Sequence, residues 1–262
     1  MSRLAAVFAK LEKSGRKALV PYIVAGDPSP ALTVPLMHEL VRQGADFSDP
    51  MAEGPVIQLA HERALANKVT LTMVLELVTE FRKSDQETPL VLMGYANPIE
   101  RMGYQVFADR AASAGVDGLL TVDMPPEEAE QPTRILRAAG IDNIFLLAPT
   151  SSEDRIKKIV SLASGYLYCV SLNGVTGAGN LDIKAVSEKL ASIKRFTDLP
   201  ITVGFGIKDG VSAAALAPLC EGVVVGSALI ERLVATDADK TVEQRAALAA
   251  ALIAEIRSAI DA

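Results

Sequence analysis

The sequence predicts an α/β fold, a (β/α)8 TIM barrel with an extra N-terminal helix and a second strand that is missing or replaced. Three observations point there. Near-continuous apolar runs alternate with helical stretches, the pattern of a parallel sheet covered by helices. Strand starts near 18, 90, 118, 143, 165, 201 and 222 lie 21 to 36 residues apart, except for a first gap of 72. The chain has 262 residues, and an eight-unit barrel typically takes about 250. There is room for eight units and there are signals for seven strands, so one strand is absent from where the repeat expects it.

Residues 2–13 read as a helix, with Leu4, Val7, Phe8 and Leu11 on one face. "ALVPYIVAGDP" (18–28) reads as a buried strand ending in a turn, and a helix follows over about 30–43. After "QGADFSDPMAEGP" helical material runs from about 58 to 84, and "LVLMGY" (90–95) is the next strand. Helix "YQVFADRAASAG" leads to strand "GLLTVDM" (118–124), and "EEAEQPTRILRAAG", helical apart from Pro132, leads to strand "NIFLLAP" (143–149). "SEDRIKKIVSLAS" has Ser and Asp start signals for a helix. Strand "GYLYCVSL" (165–172) then runs into the glycine-rich "NGVTGAGN". A helix through "DIKAVSEKLASIKRFT", strand "ITVGFGI" (201–207), a short helix "GVSAAALAPL", strand "GVVVGSAL" (222–229) and a closing helix over 241–260 complete the chain. No linker or low-complexity stretch divides it, so one domain, 1–262, is expected. The competing architecture is an open doubly wound sheet. The first strand-to-helix turn, "AGDPSP", lacks the dinucleotide glycine fingerprint, and the glycines cluster after the late strands instead.

Half of the residues are hydrophobic, enough for a sizeable core, and the net charge of −6 is spread through the chain. No basic footprint favours nucleic acid, and no run reaches the roughly 20 apolar residues of a membrane span. Cys169 and Cys220 sit in apolar runs without metal-ligand spacing. They read as buried small hydrophobes in a reducing compartment, and the N-terminus is a poor signal peptide. The expected location is cytoplasmic.

In a barrel the working groups sit at the C-terminal ends of the strands. Three glycine clusters fall there: Gly174 with Thr176 and Gly177, Gly204 with Gly206, and Gly226 with Ser227. Glycine lets a phosphate approach backbone N–H groups, and a helix N-terminus adds a favourable dipole. Singly, each cluster is a tight turn. Three on one rim favour a phosphate site. The polar strand-end groups are Asp27, Tyr95, Asn97, Asp123, Tyr168 and Ser171, with Asp49 and Glu53 in the early loop. Asp27 reads as a turn or N-cap residue. Asp123 fits either structure or chemistry, and Glu53 alone would be an exposed loop acid. His38 and His61 lie on helices without a second ligand at helical spacing and read as non-catalytic. Tyr22, Tyr95 and Phe205 are candidates for an aromatic pocket, against the default of core packing.

"FSDPMAEGPVIQ", "LMGYANPI", "VDMPPEE", "YCVSLNGVTGAGN", "GFGIKD" and "VVGSALI" occur in this order. Together they resemble the tryptophan synthase α subunit from about residue 2 to 260. The resemblance implies a TIM barrel that cleaves indole-3-glycerol phosphate to indole and glyceraldehyde 3-phosphate, without a cofactor. It also implies that indole passes to a pyridoxal-phosphate-dependent β subunit in an αββα complex. It places Glu53 on the indole N–H and Tyr168 near the substrate. Gly177, Gly206, Gly226 and Ser227 would hold the phosphate, Thr176 would close over the site, and Tyr22, Tyr95, Leu120 and Phe205 would wall the indole pocket. A sugar-phosphate isomerase barrel would have no evident use for "FSDPMAEGP".

Family members carry a short strand ending in Glu-Leu-Gly between the "GAD" and "FSDP" motifs. Here Asp46 is followed directly by Phe47. The missing piece is about one strand, ~5–7 residues, and it carries the family's catalytic glutamate. Residues 43–51 are expected to be drawn extended into the vacancy, or the barrel to open there. Retro-aldol activity is expected to be strongly reduced, which leaves a phosphate-ligand-binding partner of the β subunit as the alternative role.

Overall fold

The computed structural model describes residues 2–46, 54–170, 183–204 and 206–262. Its elements in chain order are α1 (Arg3–Lys13), β1 (Ala18–Pro21), α2 (Pro30–Arg42), α3 (Pro55–Ala66), α4 (Leu71–Arg82), β2 (Val91–Gly94), α5 (Ala96–Met102) and α6 (Tyr104–Ala114). There follow β3 (Gly118–Thr121), α7 (Glu130–Ala138), β4 (Asp142–Leu147), α8 (Glu153–Leu162), β5 (Leu167–Val170), α9 (Ile183–Lys194), β6 (Ile201–Gly204), α10 (Gly210–Leu216), β7 (Gly222–Val225), α11 (Ser227–Val234) and α12 (Val242–Ile260).

All strand pairings are parallel, and the sheet order is β1-β7-β6-β5-β4-β3-β2. Each strand is buried on both faces, which is why its sequence is a continuous apolar run rather than an alternation. Alternate residues still go to different cores. Ala18, Val20, Tyr22, Val91, Met93, Leu120, Ile144, Tyr166, Tyr168 and Val224 fill the barrel. Leu19, Ile23, Leu92, Leu119, Phe145, Leu167, Val203 and Val223 face the helix layer. The N-terminal helix α1 adds Leu4, Phe8 and Leu11 to the inner cluster, with Phe8 5.9 Å from the Tyr166 ring between centroids. At the other end α3 contributes Ile57, Ala60 and Ala64.

All seven strands expected from sequence are found, but they end early. Residues 227–229, expected to finish the last strand, open α11 instead. The helical material expected over 58–84 is two helices, broken where Lys68 takes φ 57°. α5, over "ANPIERM", was not expected.

The described strands leave one position between β1 and β2, while the helices around them close ranks: α12 packs on α2, α2 on α4, α4 on α6 and α6 on α7. Asp46 stands at the entrance to that position. Its backbone N–H donates to the Leu19 carbonyl at 2.9 Å, and its carboxylate accepts the Leu19 N–H at 2.8 Å. Arg257 from α12 clamps it, donating to the Asp46 carboxylate and to the Lys17 carbonyl, both at 3.0 Å. Gln43 and Gly44 form a turn rather than an extended segment. Residues 47–53, where the expected extension would continue, lie outside the described residues.

Candidate active site

At the C-terminal end of the late strands a cavity of about 210 Å³ brings together Tyr22, Tyr168, Gly206, Gly226 and Ser227. Five of the site residues expected from sequence thus share one space. Glycine is used here in three ways. Gly206 adopts φ 79°, a conformation that side chains rarely tolerate. Gly226 precedes α11, and a methyl group on it would lie 3.3 Å from the Tyr22 ring. Gly204, which sequence places in the same cluster as Gly206, has a steric role: a Cβ there would collide with the Tyr168 hydroxyl. Gly204 makes room for the tyrosine.

Ser227 and Ala228 begin α11 and line the cavity. The first N–H groups of a helix have no intrahelical acceptor and carry the positive end of the helix dipole, so this end of the space suits an anion. Lys208 lines the same cavity and adds a formal positive charge. Sequence reasoning missed it, although its place directly after "GFGI" was a usable signal.

A second cavity, about 320 Å³, shares Tyr22 with the first and lies between β1 and β2. It is walled by Val24 and Ala25 beyond β1, Leu92 to Tyr95 on and after β2, Leu71 and Val74 of α4, and His61 of α3. It reaches residues of both cores, inner Met93 and outer Leu92 and Leu119. It therefore crosses the surface in which a strand would lie. Tyr95 is 43% exposed at its rim. Leu120 is wholly buried in the inner cluster and lines neither cavity.

Two strand-end carboxylates, Asp27 and Asp123, have structural partners. Asp27 is only 2% exposed and does not cap α2, whose N-cap is Ser29. It pairs in a fork with Arg63, at 2.5 and 2.9 Å, tying the β1 loop to α3. Asp123 accepts the Ala96 N–H at 2.8 Å, at the start of α5. His38 hydrogen-bonds Ser84 and stacks on Phe81, as a structural histidine should. His61 differs: its Nε2 is buried without a hydrogen-bond partner. Burial holds its pKa below the ordinary histidine value, against an opposing pull from Asp27.

Burial pushes the thiols of Cys169 and Cys220 up to about 11 and about 12, so both stay protonated and unreactive. Among the described residues no group of three or more His, Cys, Asp or Glu could hold a metal ion, and no helix is long and apolar enough to cross a membrane. Glu53, Thr176, Gly177 and Phe205, and with them Asp49, Ser171 and Gly174, lie outside the described residues.

Comparison with known proteins agrees with this geometry. The family profile described as tryptophan synthase alpha chain matches residues 8–259. The tryptophan synthase alpha chain of Thioalkalivibrio sulfidiphilus is 56% identical over 268 positions covering 100% of both chains. That of Nitrosococcus oceani is 58% identical over 240 positions, 89% of each. The crystal structure of tryptophan synthase subunit alpha from Legionella pneumophila superposes with a TM-score of 0.91 at 44% identity, covering 100% of this chain and 99% of the other. The first alignment spans 268 positions against the 262 residues here, so at least six of its positions have no counterpart in this sequence. The chain belongs to the tryptophan synthase alpha chain family.

Proposed function

We propose that this chain binds indole-3-glycerol phosphate and cleaves it, slowly, to indole and glyceraldehyde 3-phosphate, in complex with a tryptophan synthase β subunit. The observation that carries this reading is the single cavity holding Tyr22, Tyr168, Gly206, Gly226 and Ser227, in a chain of this family. The phosphate sits at the α11 N-terminus between Gly206, Gly226 and Ser227, with Gly177 and Lys208 adding to its cradle. The indole ring extends past Tyr22 toward Tyr95, with Phe205 beside it, while Leu120, expected in its wall, stays in the packing behind. Glu53 takes the indole N–H, Tyr168 lies against the glycerol carbons and Thr176 closes over them.

The chemistry divides accordingly. The ring carbon must gain a proton so that indole can leave neutral, and the glycerol hydroxyl must lose one. Phosphate binding far from the breaking bond supplies energy for orientation. The strand that carries the family's acid is the piece missing after Asp46, hence the slow turnover. Losing a general acid costs about 10²- to 10⁴-fold.

The experiment pairs indole release from indole-3-glycerol phosphate, with saturating β subunit, with calorimetric titration of glycerol 3-phosphate. Binding abolished by Ser227→Asp, together with slow indole release, supports the reading. Failure of glycerol 3-phosphate to bind the unmutated chain overturns it.

A further inference from the structure

We propose that His61 moves the proton in this chain's carbon–carbon cleavage, acting from the wall of the cavity between β1 and β2. The inference rests on the lyase reading above and deepens it.

Three observations converge. His61 lines the larger of the two cavities that meet at Tyr22, with Tyr95 on the same wall. Its Nε2 is buried and unpartnered, a ring nitrogen whose burial is unfavourable until a ligand employs it. It also stands beside the sheet position that no described strand fills. The other polar and charged groups near it are engaged or of the wrong kind. Asp27 and Arg63 pair with each other, and Glu62 lies on the exposed side of α3, within reach of Gln58. Tyr22 and Tyr95 face the same space, as phenols. Thr70, also on the wall, caps α4.

The proton count balances on a single imidazole. The imidazolium donates its Nε2 proton to ring carbon C3. The neutral imidazole then takes the proton of the adjacent carbinol hydroxyl. As it does so the O–H pair becomes the aldehyde C=O bond, and the C–C pair flows back into the ring to give indole. The imidazolium is regenerated and no co-reactant is consumed. Burial makes this imidazolium a stronger acid than an exposed one, which favours the difficult first transfer to carbon.

The test is indole release by the full chain with saturating β subunit, comparing the unmutated protein with His61→Ala and His61→Gln. The expected result is at least a tenfold fall in kcat for both variants, with little change in KM. Added imidazole should restore His61→Ala. The rate of the unmutated chain should rise as pH falls below about 6.5, and this rise should vanish in both variants. Unchanged kcat in His61→Gln overturns the proposal, and so does a loss that imidazole does not rescue. Complete absence of indole release from the unmutated chain also overturns it. Glycerol 3-phosphate titration of the same preparation then shows separately whether the lyase reading stands.

Discussion

Two junctions in this barrel begin identically and continue differently. At "AGVD", α6 ends at Gly115 and Asp117 docks on β2. Its N–H donates to the Leu90 carbonyl at 2.8 Å, its carboxylate accepts the Leu90 N–H at 2.8 Å, and Arg82 holds it at 2.8 Å. The next residue, Gly118, begins β3. At "QGAD", α2 ends and Asp46 makes the same pair of bonds to Leu19, held by Arg257 instead. The next residue is Phe47, already within "FSDP". The entrance to a strand is thus built by local hydrogen bonds and one buried arginine, independently of the strand beyond it. The helix layer tells the same story, since α2 and α4 pack together beside the position that no described strand fills.

Substitutions at the two junctions test whether they are equivalent supports. The largest effect is expected at Arg82, buried and donating to Asp117 and to the carbonyls of Gly115, Asp85 and Thr88. Arg82→Met leaves the buried Asp117 carboxylate with only its outer arginine, Arg3 at 2.9 Å, and takes the donor from three carbonyls, so it should cost about 3–4 kcal/mol in urea unfolding. Arg257→Met removes the analogous clamp and should cost about 2–3 kcal/mol, less because the Asp46 carboxylate is more exposed than that of Asp117. A cost near zero at Arg257 would show that the Asp46 entrance is vestigial.

Gly204→Ala probes the intact side of the barrel. The added methyl collides with the Tyr168 hydroxyl, so a loss of about 1–3 kcal/mol is expected, with weaker substrate binding as the ring shifts. Next comes pH. His61 has a depressed pKa in the folded chain. Between that value and about 6.5 the unfolded chain binds more protons, so its contribution is fully present above 6.5 and is lost as pH falls. Urea midpoints of the unmutated chain and of His61→Gln should therefore diverge toward acid pH, with the unmutated chain falling faster. The smallest effect is expected from Lys208→Met. An exposed cation lining the cavity proposed for the phosphate should shift glycerol 3-phosphate affinity a few-fold, and less at high salt.

Strand positions were legible because parallel strands buried on both faces leave long apolar runs, and Ala18, Gly118, Ile201 and Gly222 begin strands where those runs begin. Strand ends were not. Ile23 and Val24 stay buried at the barrel rim after β1 stops, and apolar residues look the same in a rim as in a ladder. Leu229, read as strand, is core of α11, because a short buried helix also gives an unbroken apolar run. The shared cavity of Tyr22, Tyr168 and the late glycines followed from strand ends meeting at one rim. The Asp27–Arg63 pair and the isolated Nε2 of His61 did not follow, since each depends on how α3 settles over that rim.

The most direct test of the vacancy is indole release by the 262-residue chain, with saturating β subunit, beside a variant with a six-residue, glutamate-bearing strand inserted after Asp46, six being about one strand. Turnover at least about 10²-fold higher in the insertion variant is the expected result. Equal turnover in the two proteins would contradict the account, because the missing strand would then carry neither the acid nor the packing assigned to it.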